Sequence, residues 1–109
     1  MSDKPRAPTG LGPGGRRLWA AVVSEFELAE HELAQLEEAA FCRDRIAALR
    51  KAVDADGTMI DSSQGRRLHP AIAEVRAQQL ALARLLAAID VPAPEDIKPA
   101  ARGARRWAS

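Results

Sequence analysis

The stretch GLGPGGRRLWAAV (10–22) sets Gly10, Gly12 and Gly15 at the G-x-G-x-x-G spacing with which a dinucleotide-binding turn receives a pyrophosphate on a helix N-terminus. That chemistry needs a buried strand ahead of the turn. Here SDKPRAPT precedes it and no parallel-sheet strands follow, so a nucleotide site is not expected. A G-x-x-x-x-G-K-[S/T] phosphate loop is absent from the sequence. HELAQ (31–35) opens like the helical zinc-protease motif, but Gln35 stands where the second histidine must be. DADG (54–57) opens like a calcium loop, yet Thr58 replaces the third oxygen ligand and the glycine comes too early. His31, Cys42 and His69 are too far apart to form a metal set, and no Ser/His/Asp grouping stands out. Neither enzyme activity, a cofactor nor a metal is expected. This chain is expected to bind something.

What must position the binding residues is helical. The 109 residues allow one small domain; 47% are hydrophobic, but many of these are alanine and only Trp19, Phe26, Phe41 and Trp107 are aromatic. Alanine and leucine favour helix, while strand-forming residues are scarce. A core this thin often finds extra burial in an oligomer. The single Cys42 allows no internal disulfide and fits a reducing cytosol. No apolar run approaches a membrane span, and the N-terminus lacks a signal-peptide core, so a soluble intracellular product is expected.

The net charge of +1 hides segregation. Lys4, Arg6, Arg16 and Arg17 stand near the start; Glu25, Glu27, Glu30, Glu32, Glu37 and Glu38 follow with no Lys or Arg among residues 24–41. Lys98, Arg102, Arg105 and Arg106 make the last stretch basic again. Basic ends around an acidic middle fit a chain that meets a polyanion at some surfaces, or solvated termini that only confer solubility.

Residues 1–15, rich in Pro and Gly, are expected to be a flexible basic arm. A helix should start near Arg16 and end around 27–29, with Leu18, Val22 and Phe26 on one stripe. A second should run from about Glu30 to Val53, Leu36, Ala39, Cys42, Ile46, Leu49 and Val53 forming a seam for a partner helix. Cys42 sits in that seam and is read as a small core residue. DGTMIDSSQGRRL (56–68) breaks the helical pattern and predicts a short β-hairpin or ordered loop. Pro70 then opens a last helix to about Ile89. On it Ile72, Val75, Gln79, Leu82, Leu86 and Ile89 keep three–four spacing, and Leu80 and Leu85 add a second apolar flank. Two apolar faces exceed one antiparallel partner, which predicts an oligomer interface through that series. Gln79 either fixes register in the seam or faces solvent. The expected fold is mainly α: three helices with a hairpin or loop between the second and third, a helical oligomerising domain over 16–91 and a basic tail over 92–109.

The order of features carries a resemblance. A glycine–arginine–aromatic helix opening (Gly15, Arg16, Leu18, Trp19) leads to E-x-x-L-x-x-H-E-x-x-x-L-x-E (Glu25, Leu28, His31, Glu32, Leu36, Glu38). A loop ending in His69-Pro70 then opens a Leu/Ala/Arg-rich helix with Leu82, Ala83, Arg84, Leu85 and Leu86. The set, over roughly 11–92, resembles the small terminase subunit of tailed bacteriophages, in the short form found in actinobacterial phages and prophages. Ala29-Glu30 departs from the Asp-Pro start typical of that second helix, which weakens its N-cap.

The resemblance implies a non-enzymatic DNA-packaging component of the bacterial host cytoplasm. Such subunits assemble into homo-oligomeric rings, recognise double-stranded viral DNA, and present it to a large terminase subunit that holds the ATPase and nuclease. The residues themselves suggest the mechanics. The pairs Arg16-Arg17 and Arg66-Arg67 and the group Arg43, Arg45, Arg50 and Lys51 are the candidate phosphate contacts. The first two helices could form a helix-turn-helix-like unit, although the glutamates opening the second are awkward in a groove. In the tail, Trp107 could stack on a base, the segment could dock on the large subunit, or it could be disordered. The alternatives are an oligomeric adaptor that ignores DNA and a small DNA-binding transcriptional regulator, which predicts a dimer on a palindrome.

Overall fold

The computed structural model describes residues 4–91; the expected tail over 92–109, with Lys98, Arg102, Arg105, Arg106 and Trp107, lies outside the described residues. The chain folds as α1 (Pro13–Glu25), α2 (Glu30–Asp56), β1 (Met59–Ser62), β2 (Gly65–Leu68) and α3 (Pro70–Ala88). This is the expected three-helix order, with a two-stranded antiparallel hairpin between the second and third helices.

Helix α1 starts three residues earlier than Arg16. Pro13 occupies the first turn, where its fixed φ suits the helix and its missing N–H costs no bond. Gly12 has no capping side chain; a carboxylate from α2 supplies the cap instead. Asp44 accepts from the backbone N–H of Gly12 at 2.6 Å and of Gly15 at 2.8 Å. Among the described residues, the stretch 4–12 ahead of α1 is therefore tied to the helices. Leu11 is buried, and the Trp19 indole Nε1–H donates to the Pro5 carbonyl at 3.2 Å. Burial of one leucine and these polar ties hold the segment down, which its glycine and proline content conceals.

The N-terminus of α2 lacks a capping side chain at Ala29, but Glu32 reaches back to accept from the Ala29 N–H at 2.7 Å. Glu30 and Glu32 also favour the positive end of the helix dipole. The helix continues past Val53 to Asp56, because nothing in Asp54–Asp56 stops it before Gly57 takes φ +86°. At the end of α3, Asp90 adopts φ +59°, the Asp90 N–H donates to Ala87 O, and the Val91 N–H donates to Leu86 O. This is a Schellman stop with aspartate in the left-handed position that glycine usually fills.

A four-residue connector joins α1 to α2, and Gly15 lies against Ala40 and Asp44. Two helices close at the connector and again ten residues along must lie side by side, so α1 and α2 form an antiparallel hairpin. A steep helix-turn-helix crossing would separate them at that distance. The α2–hairpin–α3 connection brings α3 back along α2, with Gln78 beside Cys42 and Arg45. Leu36, Cys42, Ile46, Leu82, Leu86 and Ile89 are fully buried where the three helices meet Trp19, Val22, Val23 and Phe26.

The helices are unequal, and that shapes the surface. Helix α1, with 13 residues, is about 20 Å long against about 40 Å for the 27 residues of α2. Beyond Asp44, α3 is the helix that packs on α2 among the described residues. Leu49, Val53, Ile72, Val75 and Gln79 on this distal half are only half-buried.

Candidate nucleic-acid interface

The eight basic residues singled out from the sequence do not form one cluster. Arg16, Arg17 and Arg43 gather at the start of α1. There the Arg16 guanidinium donates to the Leu11 carbonyl, and Arg17 and Arg43 line a groove with Gly14. Arg45 stands apart on the α2–α3 seam, its Nε donating to Gln78 Oε1 at 3.3 Å. Arg50 and Lys51 lie on the exposed distal half of α2, and Arg66 and Arg67 lie on β2 beyond it.

On a strand, successive side chains point to opposite faces. The pairing Ile60↔Arg67 and Asp61↔Arg66 therefore sends the two arginines apart, and Arg66 Nε lies 3.9 Å from Asp61 Oδ1. Both groups of that ion pair are largely solvent-exposed, so it contributes little to stability. Arg66 shares its face with the exposed Met59–Leu68 pair; Arg67 faces the other way, beside Ile60. The hairpin is tied at its base rather than packed on a core. His69 N–H donates to Thr58 O at 2.8 Å, and His69 Nε2 lies 3.0 Å from Asp56 Oδ2. Its Nδ1 accepts from the Ala71 N–H and caps α3, so in this arrangement Nε2 carries the proton toward Asp56.

Arg76, which in the sequence only interrupts the apolar series of α3, joins the distal group. With Arg50, Val53, Asp54, Ile72, Val75 and Gln79 it lines an open groove of about 350 Å³. The acidic run lies toward the other end, with Glu30, Glu37 and Glu38 exposed on the first half of α2. The first half of α2 thus carries acidic groups without basic ones, while its second half mixes Arg43, Arg45, Arg50 and Lys51 with Asp44, Asp54 and Asp56.

The expected oligomer series divides. Leu82, Leu86 and Ile89 are buried inside this chain and are unavailable to a second copy. Three–four spacing reports that a face is covered, not by which chain, and here α1 and α2 cover it. Ile72, Val75 and Gln79 remain at the surface groove. The polar residue in the seam is Gln78; Gln79, read as either a register residue or a solvent-facing one, lines the open groove and is half-buried. Gln78 joins Arg45 and Glu74 by its side-chain amide and Cys42 by its carbonyl. Of the second apolar flank, Leu85 packs against the core and Leu80 is exposed.

Cys42 is fully buried, with Sγ donating to the Gln78 carbonyl at 3.1 Å. Burial pushes its thiol above the ordinary range, partly offset by the charges of Arg45 and Arg43. A buried, protonated thiol is a core residue rather than a nucleophile. Among the described residues no group of three His, Cys, Asp or Glu side chains is placed to share a metal ion. No helix among them is long and apolar enough to cross a membrane.

Comparison with protein-family models, curated proteins and solved structures finds no match. The site offers anion contacts at a distal end and a turn whose anion slot is already filled. The N–H groups of Gly12 and Gly15 that would face a pyrophosphate hold Asp44 instead.

Proposed function

We propose that this chain is a non-catalytic DNA-binding component of a genome-packaging machine, a small-terminase-like subunit. It would contact double-stranded DNA with its distal end, self-associate, and hand the DNA to a large ATPase–nuclease subunit in the host cytoplasm. The observation that carries the DNA contact is the placement of Arg50, Lys51, Arg66, Arg67 and Arg76 at the distal end, away from the glutamates of the first half of α2. A two-stranded ribbon fits the major groove, and arginines on both of its faces can meet phosphates on either side of it. The ordered motif from Gly15 to Leu86 supports the packaging role.

The test is fluorescence anisotropy of a labelled duplex across a salt series. Binding should weaken steeply with salt, and Arg66→Gln with Arg67→Gln should flatten the log–log slope by about 1 for each phosphate no longer neutralised. Salt-insensitive binding, or none at low salt, would remove the DNA role. An adaptor that ignores DNA is the second reading, favoured by the exposed Met59–Leu68 pair on the hairpin.

A further inference from the structure

The two arginines of the hairpin are not equivalent. The register Met59↔Leu68 and Asp61↔Arg66 puts these four side chains on one face of the ribbon, while Ile60↔Arg67 and Ser62↔Gly65 make the other. The first face is the open one: Met59 is 40% and Leu68 53% exposed, whereas Ile60 and Ser62 on the second are half-buried. On that open face Arg66 Nε lies 3.9 Å from Asp61 Oδ1, so the two charges largely cancel. Such a pair gains little from a phosphate, because the carboxylate repels what the guanidinium attracts. Arg67 shares its face of the hairpin with no acidic residue.

We propose that Arg66 and Asp61 together read one G·C pair in the major groove, and that Arg67 holds the DNA backbone. This rests on the DNA-binding reading above and narrows it to one face of the ribbon. The chemistry of the pair is the first argument. Guanine presents O6 and N7 as acceptors, which the fork of a guanidinium meets with two N–H groups, and its cytosine partner presents an N4 amino donor, which a carboxylate accepts. A cation and a carboxylate side by side match that edge, whereas a phosphate needs the cation alone. The second argument is what surrounds them. Met59 and Leu68 stand two residues along each strand from Asp61 and Arg66, about 7 Å away, where apolar side chains meet the methyl group of a neighbouring thymine. Against phosphates these two side chains would gain nothing. The third is size. Two four-residue strands about 5 Å apart and about 13 Å long fit a groove about 12 Å wide. With the open face toward the bases, Arg67 points away from them and serves the phosphates at the groove's rim.

The test is selection of duplexes from a randomised pool by the full-length chain, followed by anisotropy on the enriched duplex across a salt series. Wild type should enrich a motif with a fixed guanine and a nearby thymine. Arg66→Ala, an exposed change, should bind that duplex about tenfold or more weakly and no longer distinguish the four bases at the guanine. Arg67→Gln should keep the motif and flatten the log–log salt slope by about 1. Asp61→Ala should bind an unrelated duplex more tightly, because Arg66 is released to phosphates, and should discriminate less at the G·C pair. Exchanging the thymine for deoxyuridine, which lacks the methyl group, should weaken wild type more than Leu68→Ala. Salt-sensitive binding with no enriched motif would overturn this inference and leave the DNA role standing. A guanine preference that survives Arg66→Ala would do the same, as would equal losses of salt slope in Arg66→Ala and Arg67→Gln. No binding at low salt would remove both.

Discussion

Asp44, midway along α2, holds the first turn of α1 through Gly15, whose N–H donates to it at 2.8 Å. The approach is close on every side: a Cβ at Gly15 would come within 2.5 Å of the Asp44 carboxylate and 2.6 Å of the Ala40 carbonyl. An anion at a helix N-terminus satisfies the free N–H groups and favours the helix dipole. Here the anion belongs to the protein, and it welds two helices together.

The adjacent glycines should therefore respond oppositely to alanine. Gly15→Ala should destabilise by about 2 kcal/mol or more through overpacking against backbone. Gly14→Ala, whose Cβ would make only ordinary contacts with Asp44 and Arg43, should stabilise by about 0.5–1 kcal/mol. Asp44→Ala should lose about 2 kcal/mol, because it leaves two part-buried N–H groups unpaired. Urea unfolding curves measure all three.

At the other end of the fold, Asp90 sits at φ +59° in the stop after α3. Glycine there removes the Cβ strain while keeping both closing bonds. Asp90→Gly should raise stability by about 0.5–1 kcal/mol, and Asp90→Val should lower it, read as shifts in midpoint at constant urea slope.

Leu86 and Ile72 test which part of the apolar series belongs to this chain. Leu86→Ala should cost about 2–5 kcal/mol, as expected for a fully buried leucine. Ile72→Ser, at the half-buried distal groove, should cost under about 1 kcal/mol. If copies associate through that groove, Ile72→Ser lowers the mass measured by light scattering while the chain stays folded. An unchanged mass would exclude the groove as the assembly surface.

Cys42 supplies a pH dependence with a definite sign. Its folded pKa lies above the ordinary 9.0, so above about pH 9 the unfolded chain gives up the thiol proton that the folded chain keeps. Its contribution is fully present below that pH and is lost as pH rises beyond it. Denaturant midpoints from pH 8 to 10.5 should fall more in wild type than in Cys42→Ser. At pH 8, labelling of the native thiol by a disulfide reagent should be at least about 100-fold slower than in urea.

Much of the architecture is legible in the sequence because it is local. Periodicity locates α2 and α3, the Asp-Ser-Ser-Gln-Gly turn locates the hairpin, and His69-Pro70 marks the start of the last helix. The misplacements share a cause. The stretch from Pro5 to Gly15 looks free in sequence because its anchors, Asp44 and the Trp19 indole, lie far along the chain. Gln78 is not singled out by the apolar spacing because a heptad pattern tolerates a one-residue offset until a real partner helix selects one face. Arg76 escapes a sequence reading because a charge inside an apolar series looks like an interruption and nothing more.

Sequence alone determined the helices, their order, the hairpin and the segregation of charge, since each follows from propensity, periodicity or composition within a few neighbouring residues. Only the tertiary structure decided which apolar residues the chain covers by itself, which basic residues stand together, and that the glycine turn already holds a carboxylate. Those outcomes depend on helix lengths. Because α1 is half as long as α2, it buries Leu82, Leu86 and Ile89 with the near half and leaves Ile72 and Val75 half-buried along the far half.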